Sequence, residues 1–222
     1  EKFNKYNIER HNIANVNAAY VLYEDRSDDT QLTINSIYKN DFNDNISFSS
    51  SINYRNLVSD NFAEVTDMLG SYTGYLNVDS FDNLQYDLQN PNLLVSNGDV
   101  FKYNYTIHAN ELTAYNKVLF KYDKVDFFVA GSYTNTQYQR EGLYDNEANT
   151  GNSFGMGDKI SFTGYGLKSG ISYKLSGKHI FKFNSAYLQK APSIRNTFTN
   201  SRANHNVVGS DANGLINNNP IT

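Results

Sequence analysis

Residues 160–190 read ISFTGYGLKSGISYKLSGKHIFKFNSAYLQK, and two interleaved sets of side chains run through them. Tyr165, Leu167, Ser169, Ile171 and Tyr173 alternate with Gly164, Gly166, Lys168, Gly170 and Ser172. After Ser176-Gly177-Lys178, Phe181, Phe183 and Tyr187 alternate with Lys182 and Asn184. A helix would scramble the two sets, whereas a pleated strand keeps them on opposite faces. The stretch therefore reads as a hairpin with one greasy and one wet face, joined by a tight turn. Tyr165 and Tyr173 bound the greasy face, about 26 Å of strand apart at ~3.3 Å per residue. A tilt of about 40° leaves roughly 20 Å along the perpendicular, close to the ~25 Å apolar band of a transmembrane β-barrel.

The same period runs outward from this hairpin. In 45–58, Ile46, Phe48, Ser50, Ile52 and Tyr54 share one face, and Ser47, Ser49, Ser51, Asn53 and Arg55 the other. The pattern predicts seven strands, near 14–26, 31–41, 45–59, 101–122, 125–141, 160–175 and 179–190. Asp123-Lys124 and 176–178 are tight turns, whereas 142–159 and 60–100 are long polar loops. Short turns at one rim and long loops at the other are a barrel's habit. By that parity the turn 42–44 falls on the short side and 27–30 is a brief member of the loop side. A short helix is expected within 60–100, capped by Asp60 or Asn61, with Phe62, Val65 and Leu69 on one face and Gly70 closing it. Strand 101–122, if unbroken through Asn110, is about twice the length common in globular sheets. A break at Asn110 is the alternative, and it would move loop 60–100 to the short-turn side.

Composition narrows the function classes. Tyr 18 and Phe 14 make aromatics 14% of 222 residues while hydrophobic residues reach 39%, a balance suited to half-wet strands and polar loops. The net charge of −4 comes without a basic run, which argues against nucleic acid as a partner. Cysteine is absent, so disulfides and Cys-based metal sites are excluded. No apolar run approaches the ~20 residues of a membrane helix. The chain opens at Glu1 and is expected to be an internal piece of a larger protein.

Chemistry-bearing motifs are few. His11, His108, His179 and His205 lack metal-ligand spacing. Gly151, Gly155 and Gly157 lack the Gly-Lys-Ser/Thr ending of a phosphate loop. Asp79, Asp82 and Asp87 are the best acidic cluster, without the glycine of a calcium loop. No Gly-x-Ser-x-Gly occurs. No catalytic residue, metal or cofactor is expected. The stretch after Lys190 is rich in amides, with Asn196, Asn200, Asn204, Asn206, Asn213 and Asn217 to Asn219 beside Arg195 and Arg202. Such groups suit sugars, peptides or anions at a mouth. The candidate ligand-binding residues are Tyr144, Asn146, Arg195, Asn196, Asn200 and Arg202.

Three runs carry a family resemblance: GDVFKYNY from Gly98, KVDFFVAGSYTNTQYQREGLYDN from Lys124, and the stretch from Asn152 to Phe198 that contains the opening hairpin. Together they resemble the TonB-dependent outer-membrane receptors of Bacteroidetes-type bacteria, over most of the chain from about residue 14. The resemblance implies an all-β, antiparallel transmembrane β-barrel of 22 strands, of which about seven lie here, closed by an N-terminal plug. It implies a location in the outer membrane of a Gram-negative cell, with outer-membrane lipid around the wall. It further implies uptake of a nutrient (siderophore, glycan or peptide) driven by the TonB complex through the plug. The chain departs from a complete member in showing no plug, no TonB-contacting segment and no closing C-terminal strand. A non-transporting barrel or adhesin, and a soluble β domain that binds carbohydrate, remain open alternatives. Arg55, Lys168 and Lys182 are expected on the wet wall.

Overall fold

The computed structural model describes residues 1–14 and 16–208. A helix, α1 (Lys2–Ala14), precedes β1 (Leu22–Asn43) and β2 (Ile46–Asp67), with two-residue strands β3 (Tyr75–Leu76) and β4 (Leu94–Val95) in the connection that follows. Next come β5 (Val100–Lys121), β6 (Val125–Gly142), the two-residue β7 (Gly155–Met156), β8 (Ile160–Lys174), β9 (Ile180–Gln189) and a helical turn, α2 (Ile194–Thr197). The long strands form one antiparallel sheet in the order β1-β2-β5-β6-β8-β9, with β7 beside β6 and a separate β3–β4 pair. The expected all-β, antiparallel sheet of about seven strands is therefore present. No described helix is long and apolar enough to cross a membrane.

Two expectations are overturned, both above the greasy part of the sheet. The strands expected at 14–26 and 31–41 reduce to a single strand from Leu22, because 16–21 is not strand and 27–30 does not turn. Ser27, Asp28, Asp29 and Thr30 pair in register with Asn61, Asp60, Ser59 and Val58. Polar contacts replace apolar alternation there, with Arg26 donating to Glu64 at 2.6 Å and to Asp28 at 2.9 Å. The helix expected from Asp60 is likewise the upper half of β2. Ala63 and Val65, fully buried, alternate at period two, and a bulge between Phe62 and Ala63 shifts the register against β5. Only Leu69 and Gly70, both at positive φ, mark the exit. Phe62, Val65 and Leu69 fit a helical face over so short a window, but pairing with β1 on one side and β5 on the other takes up the backbone of upper β2 and wins.

Strand β5 runs unbroken through Asn110, whose Oδ1 accepts from Tyr54 Oη at 3.0 Å and Asn56 Nδ2 at 2.8 Å. All three short connections, after β1, β5 and β8, therefore lie at one end. The long ones, after β2, β6 and β9, lie at the other. Three strands are 22 residues long. At ~3.3 Å per residue that is roughly 70 Å, far beyond one apolar band.

The buried core sits at the long-loop end and on one face. It gathers Ala63, Val65, Phe101, Tyr103, Tyr105 and Ile107 from β2 and β5, Tyr138 from β6, and Val95, Phe198 and Val207 from the loops. The loops thus fold back over the upper inner face. Helix α1, absent from the sequence reading, is pinned there by a polar residue. Buried Asn7 donates to the carbonyls of Tyr20 and Met68 and accepts the N–H groups of Ala19 and Tyr20.

Candidate functional site

Directly opposed residues of an antiparallel pair project to the same face, so the register sorts every side chain. One face near the short turns carries Ile34 and Tyr38, Phe48 and Ile52, Val118 and Phe120, Phe127 and Val129, Leu167 and Ile171, and Phe181 and Phe183. Most are open to the surroundings, with Phe183 67% and Leu167 64% exposed, while Phe48, Val118, Phe120 and Phe127 are half-buried. Among the described residues, no charged side chain stands on that face between its upper tyrosines and the turns. The opposite face, over the same heights, carries Lys39, Asp41, Lys117, Lys121, Asp126, Lys168 and Lys182. Arg55, a little higher on this wet face, pairs with Glu111 at 3.4 Å, and Lys174 with Asp126 at 2.9 Å.

The upper border of the greasy face is not level with the hydrogen-bond register. The continuous apolar band ends at Tyr187, Tyr165, Tyr133, Leu112, Tyr54 and Leu32, from β9 to β1; above it on β2, Val58 and Phe62 recur singly among Asn56, Asp60 and Glu64. Tyr187 faces Leu167, two residues below Tyr165; Tyr165 faces Tyr133. Tyr133 faces Ala114, two residues below Leu112; Leu112 faces Tyr54. Tyr54 faces Ile34, two residues below Leu32. The border climbs six residues over five strand pairs.

At the other end a cleft of about 470 Å³ lies between the wet face and the loop after β9. Ser59, Asn61, Tyr105 and Ile107 form its floor, and Ile194, Arg195, Phe198, Asn200 and Arg202 are among the loop residues over it. Arg195, Asn200 and Arg202, three of the sequence candidates, therefore meet at one site. Arg202 pairs with Asp25 at 2.9 Å and lies 4.5 Å from the Tyr103 ring centre. Bonds from Tyr103 and Arg202 hold the Asp25 carboxyl below the usual carboxylate range.

The other candidates fall elsewhere. Tyr144 donates to the Val100 carbonyl at 2.7 Å, and burial pushes its phenol up to about 12. Asn146 donates its N–H to Ser153 Oγ and accepts from Asn149 Nδ2, ordering its own loop. Asn196 is exposed on α2 and does not line the cleft. Asn213 and Asn217 to Asn219 lie outside the described residues. Asp79 caps a turn through the N–H groups of Phe81 and Asp82, while Asp87 accepts from Gln89, Asp145 and Asn90. Among the described residues, no group of three or more His, Asp or Glu gathers as a metal site would require.

The sequence reading missed Arg140. It projects from the loop-covered face of β6, buried, over Tyr105, and ties two loops to the sheet. Its guanidinium donates to the Ser201 carbonyl at 2.6 Å and the Ser153 carbonyl at 2.8 Å, and lies 3.1 Å from His205 Nδ1. Burial without a carboxylate lowers Arg140 to about 10, and burial beside Arg140 lowers His205 as well. The available signal was parity: Arg140 shares the inward set with Tyr138 and Gly142. Compared with protein-family models, with curated proteins and with solved structures, the chain gives no match.

Proposed function

We propose that this chain is wall and mouth of an outer-membrane β-barrel, and that the protein carrying it imports a nutrient with TonB-supplied energy. The climbing border carries the membrane reading. A flat bilayer cuts a barrel horizontally, whereas hydrogen-bonded rows run perpendicular to tilted strands, so the apolar limit must slip along the register from strand to strand. Six residues over five pairs is about 1.2 residues per strand; at ~3.3 Å rise and ~4.8 Å spacing the slip corresponds to a tilt of about 40°. Barrel strands tilt by about 35–45°. A soluble sandwich has no reason to expose such a border, since its greasy face would be covered by a second sheet.

Three further observations support the barrel. A charge-free greasy face across six strands is what lipid requires and what water penalises. Among the described residues, the outer edges of β1 and β9 lack strand partners, and a membrane tolerates no open edge, so closure calls for more strands. The loops fold over the wet face at the long-loop rim, where a receptor would meet its ligand.

The import reading rests on the resemblance of the runs from Gly98, Lys124 and Asn152, together with the covered mouth. Outer-membrane lipid surrounds the wall, and TonB acts through a plug within the closed barrel. Two experiments test the halves separately. If salt or carbonate without detergent releases the full-length protein from membranes, the barrel reading fails. If uptake of its nutrient persists in cells lacking TonB, the barrel stands and active import falls.

A further inference from the structure

We infer that the cleft between β2, β5 and the loop after β9 binds a carboxylate with an apolar body, an inference that rests on its place at the receptor's mouth. The charge arithmetic is local. Of the two guanidinium groups over the cleft, Arg202 is neutralised by Asp25. Arg195 is exposed and has no hydrogen-bond or ionic partner among the described residues, and no acidic residue lines the cleft. One unspent guanidinium is a fork that matches a carboxylate with two parallel hydrogen bonds.

The rest of the lining decides what the carboxylate is attached to. Half-buried Ile194 offers apolar surface beside the nearly covered Ile107 and Phe198, and Asn200 supplies an amide. The hydroxyls that a neutral sugar would need are already engaged: Ser59 with Ser27 at 3.2 Å, Ser201 with Tyr105 at 3.1 Å, and Thr199 with the Asn206 carbonyl at 3.2 Å. The rings of Tyr105 and Phe198 are buried, at 7% and 5% exposure, and leave no open face for a sugar to stack on. A cleft of about 470 Å³ falls within the ~300–1,000 Å³ range of small-molecule sites. An aliphatic or aryl carboxylate meets all of these conditions, and a neutral glycan meets few.

The test is equilibrium dialysis of the full-length protein in detergent, with 4-phenylbutyrate, maltose and inorganic phosphate as separate probes. Arg195→Gln serves as the reference that cancels partition into micelles. Saturable phenylbutyrate binding, weakened at least tenfold by Arg195→Gln and less by Arg195→Lys, is the expected result. Equal phenylbutyrate binding by wild type and Arg195→Gln would overturn the assignment. So would phosphate binding as tight as that of phenylbutyrate, or maltose binding indifferent to Arg195. Flotation of the same preparation with lipid vesicles is read in parallel. A protein that floats but fails to bind removes this inference alone, whereas one that does not float removes the membrane reading.

Discussion

The two faces of the strands near the short turns are made by the same residues taken alternately, yet they answer to different solvents. Among the described residues, the greasy face spans six strands without a charge, while the wet face carries Lys39, Asp41, Lys117, Lys121, Asp126, Lys168, Lys174 and Lys182 at the same heights. Backbone hydrogen bonding is common to both, so it cannot cause the difference. On the proposed reading, what separates them is the medium each must meet: apolar surface in water is penalised by about 25 cal/mol per Å², and a charge in hydrocarbon by several kcal/mol. Higher up, the wet face changes character where loops cover it. There Phe101, Tyr103 and Ile107 are buried and Arg140 replaces solvent for the loop carbonyls.

The sharpest way to break this contrast is to exchange solvents. Arg at Ile171 or Phe183 is expected to destabilise the vesicle-inserted protein by about 2–4 kcal/mol in urea titration. Arg at Ser172 or Asn184, on the wet face, is expected to cost less than about 1 kcal/mol. Gly170, although on the wet face by alternation, is unsuitable as a control. A Cβ there would run into the Phe128 ring and Asn184 Oδ1, so packing damage would masquerade as a solvent effect. Equal damage at both sets would collapse the distinction between the faces.

Two smaller effects probe the covered mouth. Gly142→Ala would drive a Cβ into the Ser153 carbonyl and bring it to 2.8 Å from Arg140 Nη1. A loss of about 1–3 kcal/mol in stability is expected, with faster proteolysis of the loop between β6 and β8. Arg140→Gln is expected to cost about 1–3 kcal/mol, because the Ser153 and Ser201 carbonyls would lose their donors. Increased hydrogen exchange in both loops would accompany it.

The smallest effect is one of pH. The folded-state pKa of His205 lies below its ordinary value of about 6.5, so the unlatched loop binds protons more readily than the latched one. His205 therefore contributes fully above about pH 6.5, and that contribution is lost as pH falls through the folded pKa. Protection of the Thr199 and Val208 amides, bonded to Asn206 and Thr197 carbonyls, should be lower at pH 5.5 than at 7.5 once intrinsic exchange is corrected. Unchanged protection would remove His205 from the latch.

How much was legible followed the solvent contrast. Where one face is greasy and the other wet, apolar residues recur at period two, and β5, β6, β8 and β9 could be placed within a residue or two from Ile171, Phe183 and their like. Above the border both faces of β1 are polar, so Ser27-Asp28-Asp29 looked like a turn although it is paired throughout. In upper β2 apolar residues fall on both faces, Phe62 on one and Val65 on the other, so together with Leu69 they imitated a helix. Helix α1 gave no signal because a buried amide, Asn7, rather than an apolar stripe holds it. At the mouth, Arg195, Asn200 and Arg202 were found from composition. Their convergence on Ser59, Asn61 and Tyr105 depends on a fold-back of the last loop that no local pattern encodes.

The claim that the border is a membrane surface can be tested on its own geometry. The chain has no cysteine, so single cysteines can be placed without background and spin-labelled in lipid vesicles. Labels at Leu32, Tyr54, Leu112, Tyr133, Tyr165 and Tyr187 would each report bilayer depth through oxygen and nickel-chelate collision rates. All six are expected at one depth although they differ by six residues in register, with labels at Lys168 and Lys182 accessible to water. Depths that instead follow the hydrogen-bond rows, or water access at all six, would contradict a tilted wall in a membrane.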